Sequence, residues 1–245
     1  MRSCVVVGCG RSGTSLAAGI LAESGCDPGA DLVPADSGGP TGFFESRELN
    51  TINERLLAPY DDMFLWRAGY SRQLREGERW LAVLPWGVDP SAPQHLGAPM
   101  RAAVPSAPYC CKDPRFGYTL PSWRPFFRDA LFVCIFRHPL ATATSIAREV
   151  RYGDLTVTID AAIELWSAIY RRVLERHRHE GDWLFLHYEQ LFDCSGLERL
   201  SDAVGARLEA GLADPALRRP QPVAAPPAAT IAIYEELCAE AGHRA

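Results

Sequence analysis

The chain has 245 residues, of which 47% are hydrophobic and 22% are charged, and its formal net charge is −5 at pH 7. This length and composition suit one large α/β domain with a substantial apolar core. The net negative charge argues against a general nucleic-acid-binding protein, which would carry a basic excess. No apolar run approaches the length of a membrane span, and the N-terminus reads as strand and loop rather than as a targeting leader. We therefore expect a single domain over residues 1–245, located in the cytoplasm.

The eight cysteines form neither a metal-binding nor a disulfide pattern. The sequence contains no C-x-x-C pair, the spacing that is typical of zinc and dithiol sites. His177 and His179 are two residues apart on a predicted helix and so face different sides, which makes them a poor metal pair. We therefore expect no bound metal. Several cysteines fall in or beside predicted strands, where a thiol behaves as a small buried hydrophobe: Cys4, Cys9, Cys110, Cys111 and Cys134.

A β-branched strand at the N-terminus, Cys4–Val7, leads into a glycine-rich loop and then into an apolar helix predicted over residues 14–25. In this arrangement, consecutive backbone N–H groups and a helix N-terminus converge on an anion. Glycine lets the backbone approach such a ligand closely, and hydroxyl and guanidinium groups supply further donors. The candidate anion-binding residues are Gly10, Arg11, Ser12, Gly13, Thr14 and Ser15.

The loop differs from the nucleotide-triphosphatase loop at one informative position. Residues 8–15 read G-x-x-x-x-G-T-S, whereas the triphosphatase loop reads G-x-x-x-x-G-K-[ST]. Thr14 stands where the lysine that contacts the β- and γ-phosphates would be. A magnesium-bound triphosphate would therefore lose its main cationic ligand here. An ordinary strand–helix turn is the alternative interpretation.

The next part of the chain is less regular. Residues 27–41 are rich in turn-forming residues and predict a loop, and residues 47–57 follow the helical period behind a suitable N-cap, Ser46. A short helix is predicted over residues 70–84. Long loops in compact domains are usually functional or disordered. We interpret residues 60–108 as an irregular insert that forms a wall or a lid of a substrate pocket, or alternatively as an aromatic cluster packed on the sheet edge.

The second half of the chain alternates between strands and helices. Residues 131–136 are apolar on both faces, as a central parallel strand must be. Further strands are predicted at 109–112 and 183–186, and helices at 120–127, 139–150, 160–179, 197–208 and 230–241. This alternation predicts an α/β fold of three layers, αβα, with a central parallel sheet. Ligands of such sheets bind at the carboxyl ends of the strands.

Three further segments carry polar residues in a recognisable order. Arg137 follows the clearest strand, and Ser145 lies about two helical turns farther along. Lys112, the only lysine in the chain, opens the sequence Lys-Asp-Pro-Arg at a strand end. The sequence Gly-Phe-Phe-Glu ends at Glu45, just before the helix at 47–57. Together with the glycine loop, these segments resemble the sulfotransferases of the bacterial type.

The resemblance implies the P-loop nucleotide-kinase architecture and a donor, 3′-phosphoadenosine 5′-phosphosulfate (PAPS), bound without a metal. The glycine loop would hold the 5′-phosphosulfate, and Arg137 with Ser145 would hold the 3′-phosphate. Lys112 would stabilise charge on the bridging oxygen as the sulfuryl group leaves. Glu45 would act as the general base that takes the proton of the acceptor.

The chain also departs from the family pattern. The loop lacks the aromatic residue that stacks on adenine in the cytosolic animal enzymes, so the adenine contact is unassigned. Their glycine- and lysine-rich 3′-phosphate segment near the C-terminus is missing too, and Arg218 or Arg219 would take its place.

The sequence therefore predicts a sulfotransferase that moves a sulfuryl group from PAPS to a hydroxyl or amine of a small-molecule, natural-product or carbohydrate acceptor. A P-loop kinase of a small metabolite is one alternative, and Thr14 counts against it. A non-catalytic nucleotide-binding module is another, and the joint presence of Glu45 and Lys112 counts against that. The sequence indicates no nucleic-acid partner and does not indicate the oligomeric state.

Overall fold

A parallel four-stranded sheet forms the centre of the protein, with the strand order β2-β1-β3-β4. The computed structural model describes residues 1–35, 42–64, 69–150, 153–208, 211–213 and 225–244. The strands are β1 (Cys4–Val7), β2 (Cys110–Lys112), β3 (Leu131–Phe136) and β4 (Asp182–His187). In the register of the sheet, Val5 lies between Cys111 and Phe132. The first strand of the chain is therefore an interior strand.

Helices cover both faces of this sheet. Alternate residues of β1 belong to two different hydrophobic clusters: Val5 and Val7 pack in one, and Cys4 and Val6 pack in the other. A strand buried on both faces must be apolar throughout, as β1 and β3 are. The described part of the chain contains eight α-helices: α1 (Thr14–Glu23), α2 (Arg47–Leu57), α3 (Gly97–Ala103), α4 (Phe116–Trp123), α5 (Pro139–Glu149), α6 (Ile159–Glu175), α7 (Cys194–Val204) and α8 (Ala228–Ala241). The predicted α/β fold of three layers is confirmed.

The helix predicted over residues 120–127 is displaced, because α4 begins at Phe116 and ends at Trp123. Pro121 consequently lies inside the helix rather than in its first turn, and it cannot donate to the carbonyl of Gly117. The side chain of His177 takes up that carbonyl instead, with a distance of 3.0 Å from Nε2 to the Gly117 oxygen. A distant side chain thus replaces the hydrogen bond that the proline removes.

Other predicted bounds also shift. The helix predicted to run to residue 179 ends at Glu175 and gives way to a short 3-10 turn, His177–His179. The helix predicted from residue 197 begins at Cys194, because Asp193 caps it with a 2.7 Å bond from the Gly196 N–H to Oδ1. Residues 214–224, which include most of the proline-rich loop, lie outside the described residues.

The irregular middle of the chain contains less helix than predicted around residue 80 and more helix near residue 100. Of the described residues in the range 70–84, only Arg79–Leu81 are helical, as a 3-10 turn. The unpredicted helix α3 follows farther along. Leu81 and Met100 are fully buried in the same cluster as the residues of α6. This segment is therefore packed against the main core.

No helix within the described ranges is long and apolar enough to cross a lipid bilayer. All eight cysteines lie within those ranges as free thiols, and the five assigned to strand positions are buried.

Candidate active site

The carboxyl edge of the sheet collects the segments that the sequence singles out. Residues 8–13, here called the glycine loop, follow β1, and Lys112 is the last residue of β2. Arg137 follows β3, and Tyr188 follows β4. Because parallel strands end at the same edge, four chain segments that are far apart in sequence meet there.

Several contacts to neighbouring elements hold the glycine loop in place. The Cys9 N–H donates to the Tyr170 hydroxyl over 3.1 Å, and that hydroxyl donates to the Ile135 carbonyl over 2.7 Å. Gly13 and Arg11 both have positive φ, 95° and 69°, so the loop turns sharply before α1 begins. Ser12 is fully buried and its hydroxyl lies 3.2 Å from that of Thr142. The Ser12 side chain thus holds the loop against Thr142 of α5. The backbone of the loop leads directly into the N-terminus of α1.

Glu45 and Lys112 form a buried ion pair beside the first turn of α1. The Lys112 ammonium donates to Oε1 of Glu45, and it lies 3.2 Å from the Ser15 hydroxyl. The Asn50 amide donates to the other carboxylate oxygen over 3.0 Å. Lys112 is 3% exposed and Glu45 is 9% exposed, so the pair is shielded from solvent. The structure therefore brings together the two residues predicted as base and sulfuryl-stabilising cation.

The local backbone that presents Glu45 is strained. Phe44 has φ 53°, in the left-handed region that costs a non-glycine residue energy. Its ring lies against Gly19 of α1, where an added Cβ would come within 2.8 Å of Cε2. Ser46 then caps α2 by accepting from the Leu49 N–H, as predicted. Glu45 is held between a packed ring and a helix start.

A second polar cluster lies at the end of β3. The Arg11 Nε donates to the Ser145 hydroxyl over 3.2 Å. The Arg137 guanidinium lies over the Tyr188 ring, 4.8 Å from its centroid, and Arg137 is 5% exposed. The Tyr188 ring also covers Gly13, where an added Cβ would come within 2.4 Å of Cδ2. The structure thus places Arg137, Ser145 and Arg11 in one region, with an aromatic ring between Arg137 and the glycine loop.

A largely buried ionic network includes Asp113 and Arg115, which follow Lys112 in the chain, together with Glu54, Arg79 and the half-buried Asp61. Glu54 accepts from Arg115 and from Arg79, each over 2.7 Å. Arg115 also binds Asp113 over 3.1 Å, and Arg79 binds Asp61 through two bonds of 2.8 Å. Charged groups out of water are tolerated only when paired in this way. The network ties α2 to the end of β2 and to the segment around residue 79.

Trp80, next to Arg79, packs against the glycine loop. A Cβ added at Gly10 would come within 2.7 Å of the indole Cζ3. Trp80 is only partly buried. The indole is thus a large aromatic surface at the carboxyl edge of the sheet.

Among the described residues, one group of three could supply metal ligands: His187, Glu189 and His243 have ligand atoms within 4.8 Å of one another. The two imidazole rings stack with 4.0 Å between centroids and 13° between planes. Because the lone pairs lie in the ring planes, stacked rings do not direct them at a common ion. Burial, together with the neighbouring His243, lowers the pKa of His187 to about 3. The arrangement supports a packed pair of neutral rings.

Sequence reasoning missed the roles of Tyr188, Trp80 and Glu54. The sequence shows that these two aromatic residues exist. Their contacts with Gly13 and Gly10 join segments that are far apart in the chain, so no local pattern predicts them. Arg218 and Arg219, predicted to contact the 3′-phosphate, lie outside the described residues.

Comparison with known proteins identifies a family and a similar fold. A family model described as the sulfotransferase family matches residues 4–205. The structure is similar to the sulfotransferase domain of the olefin synthase from Synechococcus PCC 7002, with a TM-score of 0.55 and 18% identity. That likeness covers 97% of this chain and 94% of the other, and at this identity it concerns the fold. No curated protein sequence matches this chain.

Proposed function

This chain belongs to the sulfotransferase family, and on that premise we propose that it transfers a sulfuryl group from PAPS to a hydroxyl or amine of a small-molecule acceptor. The observation that carries the proposal is the buried Glu45–Lys112 pair, hydrogen-bonded to Ser15 at the first turn of α1. A carboxylate base and an ammonium group beside an anion-binding loop are the groups that sulfuryl transfer requires.

The residues at the carboxyl edge fit the donor at both of its anionic ends. The glycine loop and the N-terminus of α1 offer backbone N–H groups to the 5′-phosphosulfate. Residues Gly10 to Ser15 form this cradle, with the Thr14 and Ser15 hydroxyls at its helical end. Arg137 and Ser145 bind the 3′-phosphate, and Arg11 joins them through its bond to the Ser145 hydroxyl. A guanidinium suits a phosphate because it can donate two parallel hydrogen bonds. Arg218 or Arg219 completes this 3′-phosphate site.

The reaction then uses Glu45 and Lys112 in sequence. PAPS supplies an activated sulfuryl group. Glu45 accepts the proton of the acceptor hydroxyl as the acceptor oxygen forms a bond to sulfur. The Lys112 ammonium exchanges its hydrogen bond to Glu45 for one to the bridging oxygen. There it stabilises the negative charge that develops when the bond between that oxygen and sulfur breaks. The product is the sulfated acceptor, and 3′-phosphoadenosine 5′-phosphate leaves.

Thr14 favours this donor over a magnesium-bound nucleoside triphosphate, because the loop lacks the lysine of the triphosphatases. We propose that no metal takes part. We also propose that the chain works as a single domain over residues 1–245 in the cytoplasm.

Calorimetric titration tests the donor. We would titrate 3′-phosphoadenosine 5′-phosphate and ATP, each with and without magnesium, into the wild type and into the Arg137→Ala variant. We expect micromolar, metal-independent binding of the bisphosphate, weakened at least tenfold in Arg137→Ala by the loss of a charged hydrogen bond (about 1.5–3 kcal/mol). Arg148→Ala is the matched control, since Arg148 is an exposed arginine on α5, the helix that follows Arg137.

The kinase alternative predicts the opposite result. Magnesium-dependent binding of ATP that is insensitive to Arg137→Ala would overturn the proposed donor. Binding of the bisphosphate without any turnover of PAPS, tested against a panel of hydroxyl and amine acceptors, would favour the non-catalytic module.

A further inference from the structure

A neighbouring aromatic ring, and not the backbone conformation of Gly10, excludes a side chain at this position. The φ of Gly10 is not positive, unlike that of Gly13, so an L-residue could adopt the same conformation. The obstacle is the Trp80 indole, whose Cζ3 and Cε3 would lie 2.7 and 2.8 Å from an added Cβ. The loop and the indole are therefore in direct contact.

The ionic network determines on which side of the glycine loop Trp80 lies. Arg79, the residue before Trp80, binds Glu54 on α2, the helix that begins just after Glu45. Glu54 in turn binds Arg115, which follows Lys112 in the loop after β2. Trp80 thus belongs to the β2 side of the site. The β3 side holds Arg137 and Ser145.

The indole is held firmly in this position. Arg79 is 9% exposed and bound by two carboxylates, and Leu81 on the other side of Trp80 is fully buried. Neighbours fixed in this way leave Trp80 little freedom, while part of its own surface reaches solvent. A preorganised aromatic surface costs little entropy when a ligand binds to it.

We propose that Trp80 is the acceptor-recognition wall of the site and that it selects acceptors whose hydroxyl is carried on an aromatic ring. This inference rests on the proposed function, because it takes the Glu45–Lys112 pair as the point at which the acceptor reacts. The donor occupies the glycine loop and the β3 side, so the acceptor approaches the pair from the β2 side, where the indole lies.

An aromatic acceptor gains most from this wall. Stacked or edge-to-face aromatic pairs contribute about 0.5–1.5 kcal/mol beyond the burial of apolar area. The hydroxyl of a phenol lies in the plane of its ring, so one ring contact fixes both the position and the direction of the oxygen. A flexible aliphatic alcohol gains only the free energy of burying apolar area, and it loses more conformational entropy when it binds.

The test measures acceptor binding and turnover separately. The protein is saturated with 3′-phosphoadenosine 5′-phosphate and titrated with 2-naphthol, with cyclohexanol and with methyl β-D-glucoside. PAPS turnover is then followed with the same three alcohols. The variants are Trp80→Ala, Trp80→Phe and the matched control Trp86→Ala. Trp86 lies in the same segment, is 42% exposed and packs on Arg171 and Arg172 of α6.

We expect 2-naphthol to be the preferred alcohol and its KM to rise about tenfold in Trp80→Ala, with a smaller change in kcat. Trp80→Phe should restore the KM to within about threefold, because it keeps an aromatic face. The affinity for the bisphosphate should change far less than the KM for 2-naphthol in the two Trp80 variants, and Trp86→Ala should behave like the wild type in both measurements.

The outcomes separate the two proposals. If the bisphosphate binds but 2-naphthol binds no better than cyclohexanol or the glucoside, or if Trp80→Ala leaves its KM unchanged, the inference is wrong and the proposed function stands. If the wild type does not bind the bisphosphate, the proposed function fails and the inference fails with it.

Discussion

At the scale of single residues, the Glu45 carboxylate is held by contacts to both of its oxygens. One oxygen accepts from Lys112 and the other from Asn50, and the neighbouring Phe44 has a strained backbone. A base held by two donors is fixed in direction before the acceptor arrives, which places it within reach of one hydroxyl and not of others.

Replacing Glu45 by glutamine keeps the shape of the side chain and removes the proton acceptor. We expect turnover to fall about 10²- to 10⁴-fold, while the affinity for 3′-phosphoadenosine 5′-phosphate stays near that of the wild type. Steady-state kinetics and calorimetry measure the two quantities. Glu48→Gln, at an exposed position in the first turn of α2, is the control. Nearly full activity in Glu45→Gln would exclude Glu45 as the base.

The contact between Gly10 and Trp80 predicts a coupled effect on stability. Gly10→Ala forces a methyl group against the indole and should lower the free energy of unfolding by about 1–3 kcal/mol. In a Trp80→Ala background the same substitution should cost much less, because the obstacle is gone. Urea denaturation of the two single variants and the double variant gives the interaction energy. Additive effects would show that the ring does not exclude a side chain at position 10.

At the scale of elements, the ionic network links three segments that share no local sequence pattern. Glu54 is 4% exposed and accepts from an arginine at each oxygen. Removing one member of a buried charge group leaves the other members uncompensated. The network therefore contributes to the relative placement of α2, the end of β2 and Trp80.

We expect Glu54→Gln to lower the free energy of unfolding by about 3 kcal/mol. Chemical denaturation followed by circular dichroism measures the change. Glu235→Gln, at an exposed position on α8, should have no measurable effect. A loss below about 0.5 kcal/mol, as is typical of surface substitutions, would show that the network is not stabilising.

The sequence predicts the strands better than the helix ends. Residues 131–136 form β3 with the predicted bounds, because a strand buried on both faces is apolar without interruption. The bounds of α4 were wrong because its interior proline looks like a helix start, and the compensating bond from His177 is not visible locally. The motifs singled out Glu45 and Lys112 but did not predict the contact between them, and they gave no sign of the partners of Glu54. Pairing between distant charges depends on how the elements pack, and no spacing in the sequence encodes it.

At the scale of the whole molecule, buried histidines make stability depend on pH. Burial lowers the pKa of His177 from 6.5 to about 4, partly offset by its bond to the Gly117 carbonyl. Between these two values, the unfolded chain binds a proton that the folded chain does not bind. The free energy of unfolding therefore falls as the pH falls through this range, by up to about 1.4 kcal/mol per pH unit for this group.

His177→Gln removes this titration and keeps a donor for the Gly117 carbonyl. We expect the free energy of unfolding of the variant to fall less steeply between pH 6.5 and pH 4, as measured by urea denaturation at several pH values. His179→Gln, at an exposed position in the same turn, should keep the slope of the wild type. Equal slopes in His177→Gln and the wild type would contradict the assignment.

The interior position of β1 has a consequence for the order in which the chain folds. The strand is synthesised before its neighbours in the sheet, β2 and β3, and the latter ends at Phe136. At about 5–20 residues per second, a ribosome takes roughly ten seconds to produce that partner. Until β2 has been made, neither hydrogen-bonding edge of β1 can be paired, and the second edge stays open until β3 follows. Pairing between residues so distant in sequence is slow. A fragment that ends before β3 would keep the residues of the glycine loop but leave one hydrogen-bonding edge of β1 unpaired, and an unpaired strand edge favours aggregation.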